Sequence, residues 1–190
     1  MSSKWKVLGI SGVTCGGKST LADRLQQQLE HCVIISQDQF FRADDDPNHE
    51  WIDVSPTIRH QNWESMASMD WEAFARAIDV VLSKEPPNHS ALLIIEGHMI
   101  YNYKPICDLC DKKFFLTLEK DQCFARRDSR TYLPPDPIGY FDRWVWPLYL
   151  QNMEHMKSIQ NDIPIEYLDG NCDQNIIFET VLQVVKQLFQ

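Results

Sequence analysis

Near its start the chain reads Gly12-Val13-Thr14-Cys15-Gly16-Gly17-Lys18-Ser19-Thr20. This is the spacing G-x-x-x-x-G-K-[ST]. Its glycines let the backbone turn its N–H groups inward around an anion, where side chains would obstruct the approach. The lysine then reaches the β- and γ-phosphates, and the first hydroxyl reaches a magnesium ion. An apolar run (6–10) precedes the loop and an amphipathic run (18–29) follows it. A helix beginning near Lys18 adds the positive end of its dipole. Gly12 to Thr20 are therefore expected to hold a nucleoside triphosphate, with Lys18 acting in catalysis and Ser19 on the metal.

Three other groups carry chemistry. Asp38 stands just past the apolar run 33–36 and is followed by Gln39, Phe40 and Phe41. A carboxylate at the carboxyl end of a buried strand can take a proton from an attacking hydroxyl or anchor metal-bound water. The same position also suits a turn or helix-capping residue. Phe40 and Phe41 suit the wall of a ring-binding pocket or, equally, the core. Glu96 closes the apolar run Leu92-Leu93-Ile94-Ile95, where an acid would sit near Mg2+. Arg126, Arg127 and Arg130 end a helical pattern and lead, through Tyr132 and Leu133, into a segment with Pro134, Pro135, Pro137 and Gly139. Three arginines beside such a segment suit a lid that stabilises charge on a moving phosphoryl group and excludes water. They are expected to matter more for turnover than for folding. The phosphoryl group is expected to be transferred, not merely bound.

These residues need a frame to hold them. Five apolar runs (6–10, 33–36, 91–95, 114–118, 165–168) read as buried strands. Helical patterns (18–29, 71–82, 121–130, 144–160, 175–189) lie between and after them. The alternation predicts an α/β fold, a five-stranded parallel sheet with helices on both faces. Two segments break the rhythm: 41–61, polar and acidic, and the proline-rich 131–140. Loops longer than usual are commonly substrate loops or lids.

At 190 residues the chain fits one domain, and its 44% hydrophobic and 24% charged residues are ordinary for a globular protein. A net charge of −9 argues against nucleic acid or an anionic membrane as the main partner. The apolar run after the first six residues breaks at Ser11 and Gly12, so no secretory leader is expected. No stretch approaches the roughly 20 apolar residues of a membrane span. Six scattered cysteines fit free thiols in a reducing, cytoplasmic setting. Cys107 and Cys110 form one C-x-x-C pair without a second at zinc spacing. Sequence does not reveal oligomeric state, and a monomer is the default.

At this point a resemblance becomes specific. GISGVTCGGKST, ISQDQFF, LLIIEGHMIYNYKP, RRDSRTY, PPDPIGYFDRWVWPLYL and YLDG occur in order from residue 9 to near 170. Together they resemble the nicotinamide riboside kinases, within the uridine-kinase-like group of P-loop kinases. The resemblance implies one kinase domain over 1–190, with a substrate-loop region near 38–70 and a lid near 126–142. It implies ATP-dependent phosphorylation of the 5′-hydroxyl of nicotinamide riboside, with Mg2+, for NAD synthesis. The family's general base falls on Asp38, also placed at the metal and the ribose, and its magnesium hydroxyl on Ser19, with Glu96 nearby. A substrate-loop Tyr-Asp pair in relatives falls on Trp63 and Glu64, and both are departures. The lid arginines fall on Arg126, Arg127 and Arg130. Arg126 and Arg130 are assigned to ATP, and Arg127, Tyr132 and Leu133 to the acceptor, along with Gln39, Phe40 and Phe41. Trp144 and Trp146 read as packing residues.

Two other readings compete. A uridine–cytidine kinase would share the chemistry but must read a pyrimidine amide edge with paired donors and acceptors. A cationic nicotinamide ring favours aromatic walls and nearby acids. A GTPase-type switch would want an Asn-Lys-x-Asp tetrapeptide, and none is present.

Overall fold

The structure, a computed structural model, describes residues 5–87, 90–159 and 161–190. The first strand, β1 (Lys6–Gly12), takes the centre of the sheet because nearly all of it is buried. After α1 (Lys18–Gln28) comes β2 (Cys32–Ser36), and β5 (Leu92–Glu96) inserts between β2 and β1. On the other side of β1 lie β6 (Lys112–Thr117) and then β7 (Ile165–Asp169), giving the order β2-β5-β1-β6-β7. Every pairing is parallel. The fold class expected from the apolar runs is the one observed. The expected helix over 144–160 ends at Gln160, which lies outside the described residues.

Two apolar layers cover the sheet. On one face α1 presents Leu21, Ala22 and Leu25, and α6 (Gln174–Gln187) presents Ile177, Phe178, Val181, Leu182 and Val185, all within one cluster. Those spacings form the single stripe that a 3.6-residue period turns toward a sheet. On the other face α2 (Trp71–Leu82) buries Phe74 and Ile78 beside Met69, Tyr101 and Phe115. Asp70 caps α2 by accepting from the Ala73 N–H at 2.8 Å.

A third cluster lies beyond the sheet's edge and was not foreseen. Within the polar segment 41–61, β3 (Trp51–Ser55) and β4 (Ile58–Gln61) form an antiparallel hairpin. Its Ile52 and Val54 pack with Val13, Cys123, Tyr140, Phe141 and Val145. The hairpin thus packs against the segment around Tyr140–Val145. The proline-rich segment leaves α4 (Lys120–Asp128) and returns through a wide π turn, Phe141–Val145, into α5 (Trp146–Ile159). Trp144 and Trp146 pack against this third cluster. A short helix, α3 (Lys104–Cys107), precedes β6. Cys107 and Cys110 are buried, all six cysteines are free, and no cluster of three metal-binding side chains occurs among the described residues. No helix among the described residues is long and apolar enough to cross a membrane.

Candidate active site

All five parallel strands end at one edge, so Gly12, Ser36, Glu96, Thr117 and Asp169 share it. In such sheets that edge is where ligands bind. Ile10 and Ser36 both pair in register with Glu96, which brings β1, β5 and β2 level there.

The glycine loop leaves β1 at once. Gly12 has φ +136°, and a Cβ there would stand 2.2 Å from the Leu116 carbonyl oxygen, so only glycine fits. Lys18 folds back over the loop, its Nζ donating to the carbonyls of Gly12 (3.1 Å) and Val13 (2.8 Å). Burial lowers its pKa, while the carboxylates of Glu96, Asp38 and Glu64 pull it back up. Val13 itself is fully buried in the third cluster, so it serves the loop through its main chain.

Glu96 ties the loop to β2. Its Oε2 accepts from the Ser19 hydroxyl at 3.3 Å, and its Oε1 accepts from the Ser36 hydroxyl. Burial raises its pKa above the ordinary carboxyl range, against the Ser36 hydrogen bond and the Lys18 charge. Asp38, on the 3-10 turn Gln37–Phe40, is exposed, and its N–H donates to Ser36 Oγ at 3.4 Å. The donors gathered at this point are all oxygen: the Ser19 hydroxyl and the Asp38 and Glu96 carboxylates. That set suits Mg2+, which takes one or two carboxylates and completes its shell with phosphate oxygens and water. A buried carboxylate whose charge is disfavoured gains most from such a cation.

Two cavities meet at the loop. One, of about 330 Å³, runs along Gly16, Gly17 and Thr20 toward Gly170, Gln174 and Ile177. Arg126 and Arg130 line it, and Arg126 Nη1 donates to the Gly170 carbonyl (3.1 Å) and the Cys15 carbonyl (3.4 Å). The other, of about 360 Å³, is bounded by Lys18, Ser19, Asp38 and Glu96 at its floor. Phe41, Trp63 and Glu64 line it, as do Arg127, Tyr132 and Leu133 from α4 and the proline-rich segment. Cys15 and Arg130 border both. The Phe41 and Trp63 rings meet edge-on at 5.0 Å.

Most of the residues singled out from sequence therefore meet around these two spaces. Phe40 does not: it stacks on Phe74 at 4.9 Å and belongs to the core layer under the sheet. Gln39 is exposed and borders neither cavity. The three arginines also separate. Arg130 is exposed and Arg126 half-buried, but Arg127 is 7% exposed and sits in a closed network. It donates to both oxygens of Asp136 (2.6 and 3.1 Å) and to Thr14 Oγ1 (3.1 Å), and lies 3.9 Å from Glu64. Its guanidinium also covers the Tyr132 ring at 4.6 Å. The Tyr132 hydroxyl reaches Cys15 Sγ at 3.4 Å, tying the proline-rich segment to the loop.

Sequence reasoning missed Asp136 and His98 in the second cavity and Arg24 and Gln174 in the first. Asp136, an acid between Pro135 and Pro137 in a segment already read as a lid, offered the one available signal. The others are single polar residues that only the tertiary fold brings to the site.

No protein-family model matches the chain. Curated relatives do. The chain is 39% identical over 193 residues to nicotinamide riboside kinase 1 of Rattus norvegicus, covering 95% of this chain and 94% of that protein. It is 35% identical over 194 residues to nicotinamide riboside kinase 2 of Homo sapiens, covering 95% and 80% respectively. Among solved structures, a sugar kinase from a Janibacter species superimposes with a TM-score of 0.60 at 14% identity, over 96% of this chain and 95% of that one, which speaks for the fold alone. With such identities over nearly its whole length, the chain belongs to the nicotinamide riboside kinase family.

Proposed function

We propose that this protein transfers the γ-phosphoryl group of ATP to the 5′-hydroxyl of nicotinamide riboside, yielding nicotinamide mononucleotide and ADP. The observation that carries the reading is the second cavity, where Lys18, Ser19 and Asp38 line the same space as Trp63, Phe41 and Glu64. Donor chemistry and an aromatic, acidic acceptor pocket thus share one wall.

ATP lies with its base in the first cavity and its phosphates in the loop from Gly12 to Thr20. The main-chain N–H groups and the N-terminus of α1 hold the phosphate charge. Lys18 exchanges its two carbonyl partners for β- and γ-phosphate oxygens and neutralises charge that grows as the bridging bond breaks. Ser19, with Glu96 and Asp38, would hold Mg2+, which would supply neutralisation of phosphate charge. A lone pair on the 5′-oxygen forms the new bond to the γ-phosphorus. The bond from that phosphorus to the β–γ bridging oxygen breaks, and ADP leaves. Asp38 takes the hydroxyl proton. Arg130, bordering both cavities, is placed to meet the group in transit, and closure of the lid keeps water from competing.

The acceptor ring packs against the wall that Trp63 and Phe41 form together. A pyridinium cation gains from aromatic faces by about 0.5–2 kcal/mol. The carboxylates of Asp38, Glu64 and Glu96 favour the same charge. A neutral pyrimidine collects neither benefit, so uridine is the poorer acceptor. Glu64 takes the ribose hydroxyls and Arg127 holds Glu64 from the lid. The test is ADP release, coupled to an indicator reaction, with nicotinamide riboside, uridine or no acceptor. The reading expects the nicotinamide riboside arm to exceed the uridine arm in kcat/KM by at least about tenfold. Equal rates in both acceptor arms, or ADP release without an acceptor, would contradict it.

A further inference from the structure

His98 stands two residues past Glu96 and lines the acceptor cavity, with its side chain 16% exposed. Its surroundings settle which ring nitrogen carries the proton. Gln37 is fully buried, and its Oε1 accepts from the Met99 N–H at 2.9 Å. That bond turns the amide nitrogen of Gln37 toward His98 Nδ1, 3.4 Å away. An amide nitrogen only donates, so Nδ1 is the acceptor and the proton of the neutral ring is on Nε2. Nε2 faces the Trp63 carbonyl at 3.2 Å and Glu64 Oε2 at 3.5 Å. The imidazole also stacks over Phe41, with centroids 6.0 Å apart and planes at 27°. Residue 97 has to be glycine for this arrangement: a Cβ there would stand 2.3 Å from Gln37 Cβ.

We propose that His98 is a positioning residue for the acceptor nucleoside, locking Trp63 and Glu64 in place from the sheet side. Glu64 is then gripped from two directions, by His98 at one oxygen and by Arg127, 3.9 Å from the other. Asn152 Nδ2 adds a main-chain anchor, donating to the Glu64 carbonyl at 2.9 Å. The chain of contacts Met99–Gln37–His98–Trp63/Glu64 couples the segment carrying Asp38 to the segment carrying the acceptor-binding pair. The inference rests on the reading of Trp63 and Glu64 as acceptor contacts.

The test uses two amides that differ by one methylene. His98→Gln places its amide nitrogen near the position of Nε2 and retains the donor. His98→Asn reaches only as far as Nδ1 and loses it. Steady-state kinetics are measured with nicotinamide riboside varied at saturating ATP, then with ATP varied. His98→Asn is expected to raise the riboside KM about tenfold, the scale of one lost hydrogen bond, with kcat within about threefold. The ATP KM should not change, and His98→Gln should restore the riboside KM to within about threefold of wild type. Should His98→Asn fail to fold, His98→Phe, which keeps the ring but no donor, is expected to show the same rise. Glu64→Gln is measured beside them. If it raises the riboside KM while His98→Asn and His98→Phe do not, the positioning role is overturned and the acceptor site stands. If Glu64→Gln leaves that KM unchanged, the acceptor-site reading fails and the role of His98 falls with it. A loss of melting temperature and kcat in Asn and Gln variants alike, with KM unchanged, would make His98 a structural residue and also overturn the proposal.

Discussion

Arg127→Ala should cost this protein stability as well as activity, unlike the same change at Arg130. From sequence the three arginines were expected to matter more for turnover than for folding. The structure separates Arg127, whose guanidinium is 7% exposed and binds both oxygens of Asp136 while facing Glu64, itself 6% exposed. Removing it strands two carboxylates, one of them deeply buried. Breaking a buried ion pair by deleting one partner costs about 3–5 kcal/mol. Asp136 keeps 23% of its side chain in water, which recovers part of that, so about 2–4 kcal/mol remains. For a chain of this length each kcal/mol moves the melting temperature by about 2–4 °C, so a fall of about 4–16 °C is expected. Arg130 is exposed and makes no ion pair among the described residues, so Arg130→Ala should melt within about 1 °C of wild type while losing turnover. Thermal unfolding of both variants without ligands, followed by circular dichroism, reads this directly. If Arg127→Ala melts within about 2 °C of wild type, the network around Asp136 and Glu64 does not hold the lid root, and the reasoning is wrong.

Asp38→Asn keeps the size of the side chain but removes the base, so turnover at saturating substrates should fall about 10²–10⁴-fold. ATP affinity, measured by calorimetry, should change far less, since the loop and Lys18 are untouched, and turnover within about threefold of wild type would exclude Asp38 as base. Lys18→Ala should leave a folded protein, because its Nζ donates to two loop carbonyls and makes no close ion pair among the described residues. It should lose most phosphoryl transfer, and near-normal turnover would remove the loop from the mechanism. Burial pushes the Cys123 thiol up to about 12, so at pH 8 it is protonated and unreactive, and it becomes a thiolate only as the pH rises toward that value. Native alkylation at pH 8 followed by peptide mapping should therefore modify exposed Cys172 first and leave Cys107, Cys110 and Cys123 until the protein unfolds.

The five sheet strands were legible because a parallel strand buried on both faces reads as an unbroken apolar run. Leu92-Leu93-Ile94-Ile95 admits little else. The hairpin from Trp51 to Gln61 was not, although its first strand alternates buried and exposed residues as a strand should. It is short, it follows the acidic stretch at Asp44–Asp46, and its apolar side gains meaning only from Val13 and Tyr140, distant in sequence. The same holds for the site. The phosphate loop is a local device, so its spacing sufficed to find it. Phe40 and Phe41 are neighbours that both pack on the core yet meet different rings, Phe74 and Trp63, and which would face the cavity depended on the turn between them. Arg127, assigned to the acceptor by resemblance, still read as an exposed lid cation like its neighbours, because Asp136 and Glu64, the acids on either side of it, are brought there only by the fold.

The central claim is a transfer from ATP to one particular oxygen of one acceptor. Its most direct test is a single-turnover reaction with ATP labelled in the γ-phosphate, Mg2+ and an excess of nicotinamide riboside, with the product identified by phosphorus and proton resonance. The account predicts that the label appears on the 5′-oxygen of nicotinamide mononucleotide in step with ADP, and that uridine in place of the riboside gives far slower transfer. Label released as inorganic phosphate, label on another hydroxyl, or equally fast transfer to uridine would contradict it.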